Sequence, residues 1–377
     1  MSEYQYIAFR AIDAPVSDEN LSFMRQQSSR ARVTAWSFEN EYHYGDFHGN
    51  AVEMLRRGYD LHLHYANFGI RKLLIRLPYG LPDTKAAQPY FTNDSLQFLR
   101  DKLGPGVILA IEPEHEPGQL DELWEFDDIL DRLIPLRAEI LDGDLRPLYL
   151  AHLAVACDNA HYPEETNEAP VPAGLAELTK SQRALAELYG LDDALIAAVA
   201  QHCPPLPDPV DTRNEHAQWL HQQSAATKDA WIAEWLADPR STIREAILAE
   251  FRKTRGSRSW PTDRSGRTIA ELQAAATEIR SKADREAAED RARERAKRLA
   301  DMAADPVRIL DETEQLVAQR NRDAYHQIAM RLAELRQALA GSNKSELADR
   351  QARKLKNDHP TLRVLISELR REGFLQK

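Results

Sequence analysis

The stretch "LHLHYANFGIRKLLIRL" (residues 61–77) decides the fold of the first part of the chain. Apolar and polar residues alternate on its N-terminal side, and a second run rich in Leu and Ile follows "NFG" (residues 67–69). Alternation of this kind is typical of strands, and Asn and Gly favour the backbone angles of a tight turn. We therefore predict a strand, a turn and a second strand here.

Further strands and helices are predicted around this pair. The texts "YQYIAFRAI" (4–12), "ARVTAWSFENEYHY" (31–44) and "GPGVILAIEPE" (104–114) favour strands, whereas "SDENLSFMRQQSS" (17–29) and "NAVEMLRRGYD" (50–60) have helical spacing. This order predicts an α+β fold that begins with a small ferredoxin-like α/β sandwich over residues 1–117.

The remainder of the chain is predicted to be a mainly α-helical body and a helical C-terminal region. Apolar residues recur at helical spacing across an acidic domain, residues 118–255. The polar text "KTRGSRSWPTDRSGR" (253–267) suggests a linker at 256–267. Residues 268–377 then form a basic helical region with one long helix, because strong helix formers follow without a break to Asp305.

Charge divides unevenly along the 377 residues. The net charge is −11, made up of −19 in residues 1–239 and +8 in residues 240–377. Such a division suggests that the two parts attract each other or face different partners. The N-terminal text does not resemble a secretory signal, no apolar run is long enough to span a membrane, and there are two cysteines, so we expect a soluble cytoplasmic protein with no membrane partner.

Two enzyme classes have no support in the sequence. The phosphate-binding patterns G-x-x-x-x-G-K-[ST] and G-x-G-x-x-G and the serine-hydrolase pattern G-x-S-x-G are all absent, and there are only 15 glycines. We therefore lean against an enzyme and predict no cofactor.

A histidine-rich segment supplies the one metal hypothesis. His62 and His64 are two residues apart, so they share one face of a strand, and His43 and Asp46 belong to the preceding strand and turn. Imidazole and carboxylate groups are ligands that zinc and iron accept, which would suit a metal-dependent enzyme. The alternative is a polar sheet surface next to a Gly-Asp turn.

Two features suggest binding surfaces. Trp231 and Trp235 lie four residues apart on a predicted helix, so they pack in the core or line a groove for a partner. A cluster of cations could contact nucleic-acid phosphates within residues 280–356, or could be a solvated helix face; its members are Arg291, Arg293, Arg295, Lys297 and Arg298.

Two segments carry a resemblance. The text "YIAFRAID" (6–13) with "NEYHYGDF" (40–47) resembles an uncharacterised family of bacterial proteins, which implies a bacterial source and no particular activity. The closing "HPTLRVLISELRREGFL" (359–375) is similar to the helical tail that follows SWIM-type zinc fingers, but the SWIM zinc ligands are absent from this chain.

The function predicted from these observations is that of a non-enzymatic interaction or adaptor protein whose helices present surfaces to a protein partner. The first alternative is a nucleic-acid-associated protein that uses the basic C-terminal helices. The second is a metal-dependent enzyme built on the histidine cluster. The oligomeric state is left open.

Overall fold

A computed structural model describes residues 4–100, 106–113, 126–159, 163–206, 212–237, 243–255 and 260–376. The chain forms two compact units, Met1–Arg280 and Ser281–Lys377. Their boundary lies inside a long helix and not in the predicted linker at 256–267.

A seven-stranded antiparallel sheet forms the centre of the first unit, in the order β2-β3-β1-β4-β5-β7-β6. Its strands are β1 (Gln5–Arg10), β2 (Arg32–Val33), β3 (Ser37–Tyr42), β4 (Leu61–Ala66), β5 (Ile70–Leu77), β6 (Leu96–Arg100) and β7 (Val107–Ile111). The predicted strand-turn-strand is β4–β5, in register from Leu61 opposite Ile75 to Ala66 opposite Ile70. Gly69 turns the chain with a φ of 118°, which favours glycine.

The α+β class is confirmed, and the sheet is larger than the predicted sandwich. β3 and β4 both pair antiparallel with β1, so they run parallel to each other with β1 between them. The helix α2 (Ala51–Arg56) joins them, which makes a split β-α-β unit, the element of ferredoxin-like folds. Strands β5, β6 and β7 extend this unit by antiparallel pairing.

Helices cover both faces of the sheet. One face, which includes Leu63 and Leu73, packs in one core with α4 (Phe126–Leu141), α5 (Arg146–Asn159) and α6 (Lys180–Leu188). The other face, which includes Phe9 and Leu74, packs against α1 (Asp18–Gln26) and α2. As a result β1 is buried on both sides, although its alternating text is typical of a half-buried strand.

Helices make up most of the rest of the first unit. They continue with α7 (Asp193–Ala200), α8 (Thr212–Gln222), α9 (Ala225–Ala237) and α10 (Ile243–Arg255), and α3 (Thr84–Ala87) is a single turn near the sheet. Two short strands, β8 (Val171–Pro172) and β9 (Thr262–Asp263), pair with each other. Part of the predicted linker is therefore packed structure in the first unit.

The second unit is helical throughout. The long helix α11 (Ile269–Ala304) has the predicted length of about 36 residues and crosses the boundary between the units. It is followed by α12 (Pro306–Ala318), α13 (Arg322–Ala338), α14 (Leu347–Asp358) and α15 (Arg363–Arg371). Their apolar faces enclose a second core, whose fully buried members include Leu332, Leu335, Leu365 and Leu369.

No helix in the described part of the chain combines the length and the apolar content needed to cross a bilayer.

Candidate partner-binding groove

The helix α9 presents its large apolar side chains on one face. Ser224 caps its N-terminus, because the Ser224 hydroxyl accepts a hydrogen bond of 3.1 Å from the backbone N–H of Thr227. Three large side chains follow within five residues, Trp231, Ile232 and Trp235, at the spacing that places residues on one side of a helix. The opposite face carries alanines, so the two faces of α9 differ in side-chain size more than in polarity.

Aromatic stacking attaches α9 to its neighbours. The ring of Trp219 on α8 stacks on that of Trp231, with centroids 5.6 Å apart and planes at 19°. Phe251 on α10 meets Trp219 edge-on at 5.5 Å. These offset and edge-on contacts are the arrangements that aromatic rings prefer, and they leave Trp219 only 6% exposed.

The outer part of α9 is open. Trp235 is 63% exposed, Ile232 is 54% exposed and Leu236 is 71% exposed. No residue of α9 is buried, even though the mean hydropathy of this helix is positive. The two alternatives predicted for Trp231 and Trp235 therefore separate in space, because Trp231 stacks on the buried Trp219 whereas Trp235 lies at the surface.

A groove of about 610 Å³ lies between α9 and α10. It is lined almost wholly by apolar atoms, from Leu220, Lys228, Trp231, Ile232, Trp235, Ile243, Arg244, Ile247 and Leu248. We call this set the tryptophan groove. Its described charged members, Lys228 and Arg244, are both cations, although the first unit as a whole is acidic.

Such a groove has the features of a site for a helix. Soluble domains rarely leave contiguous large apolar side chains in water unless the patch serves an interaction. Grooves that bind amphipathic helices read apolar anchors at positions i, i+3, i+4 and i+7 of the partner. Tryptophan is also among the residues most enriched at the energetic centres of interfaces.

The histidine cluster occupies the sheet face that packs against α1 and α2. His62 is buried, its ring stacks on Phe9 at 4.1 Å, and its Nδ1 lies 3.1 Å from the carbonyl oxygen of Ala8. Burial, followed by the charges of His64 and Lys72, holds the pKa of His62 well below its ordinary value. The described geometry of His62 is that of a packed core histidine.

Gln5 links the remaining members of the cluster. His64 Nε2 lies 2.9 Å from Gln5 Oε1, and Gln5 Nε2 donates to Asp46 Oδ1 at 2.8 Å. Burial, with Lys72 next, lowers the pKa of His64 to about 4. His43 packs its ring on Tyr4 instead, at 5.5 Å. Within the described residues, no group of three or more His, Cys, Asp or Glu side chains could hold a metal ion.

Acidic and polar neighbours accompany the predicted basic cluster on α11. Arg293 lies 3.4 Å from Asp290 and 3.7 Å from Glu289, and Arg298 forms an ion pair with Glu334. Arg295 Nη2 donates to Gln337 Oε1 at 2.9 Å, while Arg291 and Lys297 are exposed. Because nearby carboxylates offset much of its charge, this cluster is a mixed-sign helix face.

Sequence reasoning found Trp231 and Trp235 but missed most of the groove. Ile232 and Leu236 repeat the i, i+4 spacing of the tryptophans one position later, which was the available signal. Ile243, Ile247 and Leu248 come from the next helix, and no local pattern could assign them to the same surface.

Comparisons of the chain with protein-family models, with curated proteins and with solved structures gave no match.

Proposed function

We propose that this chain is a non-enzymatic interaction protein of the bacterial cytoplasm that binds an amphipathic helix of a protein partner in the tryptophan groove. The observation that supports this most directly is the exposure of Ile232, Trp235 and Leu236 side by side on one helix. Removing such side chains from water contributes about 1.5–3 kcal/mol each, which is enough for a few anchors to hold a partner.

Charge complementarity selects the kind of helix that fits. Lys228 and Arg244 stand at the groove, and no acidic side chain belongs to its described lining. A partner helix with carboxylates beside its apolar anchors would pair with these cations. A basic helix would be repelled there, so the rim provides specificity while the apolar floor provides affinity.

Site-specific photo-crosslinking in the host tests the proposal. A photoreactive phenylalanine analogue at Leu236 is expected to capture one protein, and the captured peptide is expected to be an amphipathic helix with Asp or Glu beside its apolar residues. The matched control carries the analogue at Trp36, which is 51% exposed elsewhere in the first unit and is expected to capture no such peptide.

A substitution distinguishes binding in the tryptophan groove from non-specific binding elsewhere on the surface. Ile232→Glu places a carboxylate among the apolar anchors, so the synthetic captured peptide should bind the purified variant at least tenfold more weakly, measured by fluorescence anisotropy. Trp36→Ala should bind it like the wild type. Capture of a second copy of this chain, of a basic peptide, or equal binding by both variants would refute the proposal.

A further inference from the structure

The last two helices of the second unit together carry a net charge equal to that of the whole unit. Ser281–Lys377 carries a net charge of +4, and residues 350–376 alone carry the same +4, so the remainder of the unit is balanced. Residues 291–298 on α11 also carry +4, so α14 and α15 are a second basic region of this unit beside the basic text on α11.

Several of these cations form no ion pair within the described part of the second unit. Arg350 pairs with Glu346 and Lys354 with Glu314. Within residues 281–376, the exposed side chains of Arg353, Lys356, Arg363, Arg370 and Arg371 form no ion pair and no side-chain hydrogen bond. Arg371 interacts electrostatically with the Glu368 carboxylate, and the other four side chains face solvent.

The helix α15 gathers three of them on one face. Arg363, Ser367, Arg370 and Arg371 are spaced so that they lie on one side, and each is exposed. The opposite side carries Leu365 and Leu369, which are fully buried in the second core. Glu368 lies off this face, 3.0 Å from His326. The exposed face of α15 thus contains three arginines and Ser367 and no acid, and Val364, which is 43% exposed, lies at its edge.

Helix stability does not explain why an arginine, Arg363, stands in the first turn of α15. Arg370 and Arg371 lie in the last turn, where cations favour the helix dipole, but Arg363 lies in the first turn, where a cation opposes it. The first turn of α15 also contains no acid. An external anion would account for a cation at this end.

The arrangement of the helices suggests which anion. The helices α14 and α15 are joined by four residues, 359–362, and both pack on α13 through the same core. A pair of helices joined by a short turn is one feature of the helix-turn-helix motif, whose second helix enters the DNA major groove. Arg363 and Arg371 are eight residues apart, so the arginines span about 12 Å of the helix axis, and a helix of about 10–12 Å diameter fits a major groove about 12 Å wide.

We propose that α14 and α15 bind double-stranded DNA as a helix-turn-helix, with the arginine face of α15 in the major groove and the cations of α14 against the phosphate backbone. This inference is independent of the tryptophan groove, which lies in the first unit. It places nucleic-acid binding on side chains other than the α11 cluster.

Fluorescence anisotropy with a labelled mixed-sequence 30-base-pair duplex tests the proposal on the full-length protein. We expect the wild type to bind at 50 mM salt and to weaken steeply as salt rises. The triple variant R363A/R370A/R371A should bind at least tenfold more weakly, because it removes all three arginines of the face that enters the groove.

The matched control is R291A/R293A/R295A, which removes three exposed arginines from α11 and should bind within twofold of the wild type. Circular dichroism melting should be unchanged in both variants, since all six side chains are exposed. No duplex binding by the wild type, equal loss in both triple variants, or tighter binding to a single-stranded RNA or to anionic lipid vesicles would overturn the proposal.

Discussion

The indole of Trp231 lies nearly parallel to that of Trp219, with ring centroids 5.6 Å apart, and this contact joins the exposed helix α9 to the core beneath it. Trp219 is also the residue that Phe251 meets edge-on. The groove therefore rests on the buried ring of Trp219, and its exposed apolar side chains come from the outer turns of α9.

Removal of the buried support should cost much more than removal of an exposed anchor. We expect Trp219→Ala to lower the free energy of unfolding by about 3 kcal/mol, because it empties a packed site. Trp235→Ala should change it by less than about 0.5 kcal/mol, since Trp235 is 63% exposed. Urea unfolding followed by circular dichroism measures both, and a larger loss in Trp235→Ala would contradict this division of roles.

A buried charge network connects the segment that follows β1, and strand β5, to α4. Arg137 donates to Asp13 Oδ1 at 2.7 Å and to the carbonyl oxygen of Arg76 at 2.7 Å, and its side chain is 4% exposed. Asp60 accepts from Arg76 and from the backbone N–H of Ile12. Arg137→Ala would leave the buried Asp13 carboxylate without a cation, while Asp60 keeps its pair with Arg76, so we expect a loss of about 3–5 kcal/mol.

The control for this network is Arg57→Ala, which removes an exposed i, i+4 pair with Glu53. Such surface pairs contribute about 0–1 kcal/mol, so urea unfolding should barely change. If the two variants lost similar stability, the network would have no special role.

The free energy of unfolding of the first unit should decrease as the pH is lowered below the ordinary pKa of histidine. The pKa of His64 is about 4 in the folded protein and 6.5 ordinarily, so between these values only the unfolded chain binds the proton. Unfolding then takes up protons, and stability decreases as pH falls from about 6.5 to 4, by at most about 1.4 kcal/mol per pH unit for one group.

His64→Gln isolates this contribution. Its amide keeps a polar partner for Gln5 but does not titrate, so unfolding free energies measured at pH 7 and pH 5 should differ less than in the wild type. His62, whose pKa is also lowered by burial, keeps part of the dependence. An unchanged difference between pH 7 and pH 5 would show that His64 is not the titrating group.

Residues 260–267 should behave as part of the first unit. Arg267 donates to Glu168 at 2.7 and 3.0 Å, and the Glu168 side chain is completely buried. Arg267→Ala should therefore destabilise by about 3–5 kcal/mol, whereas Arg264→Ala, at an exposed position, should stay within about 0.5 kcal/mol. Thermal unfolding of both variants is the measurement, and equal melting temperatures would support a free linker instead.

Local periodicity predicted the elements of this fold well. The β4–β5 pair, the helix α9 and the 36-residue helix α11 all follow from short-range patterns of apolar, polar and helix-forming residues. Those patterns record which side of an element is apolar. They do not record how many layers pack against it, which is why β1 was expected to be half-buried and is enclosed on both faces.

The candidate sites show the same limit on what local sequence patterns can predict. The sequence by itself determined that Trp219, Trp231 and Trp235 lie on helices and that the C-terminal part carries surplus positive charge. Only the tertiary structure decided that Trp219 is buried while Trp235 is exposed, and that Glu334 offsets Arg298. Burial and ion pairing depend on side chains that are distant in sequence, and the chain brings these together only when its cores close.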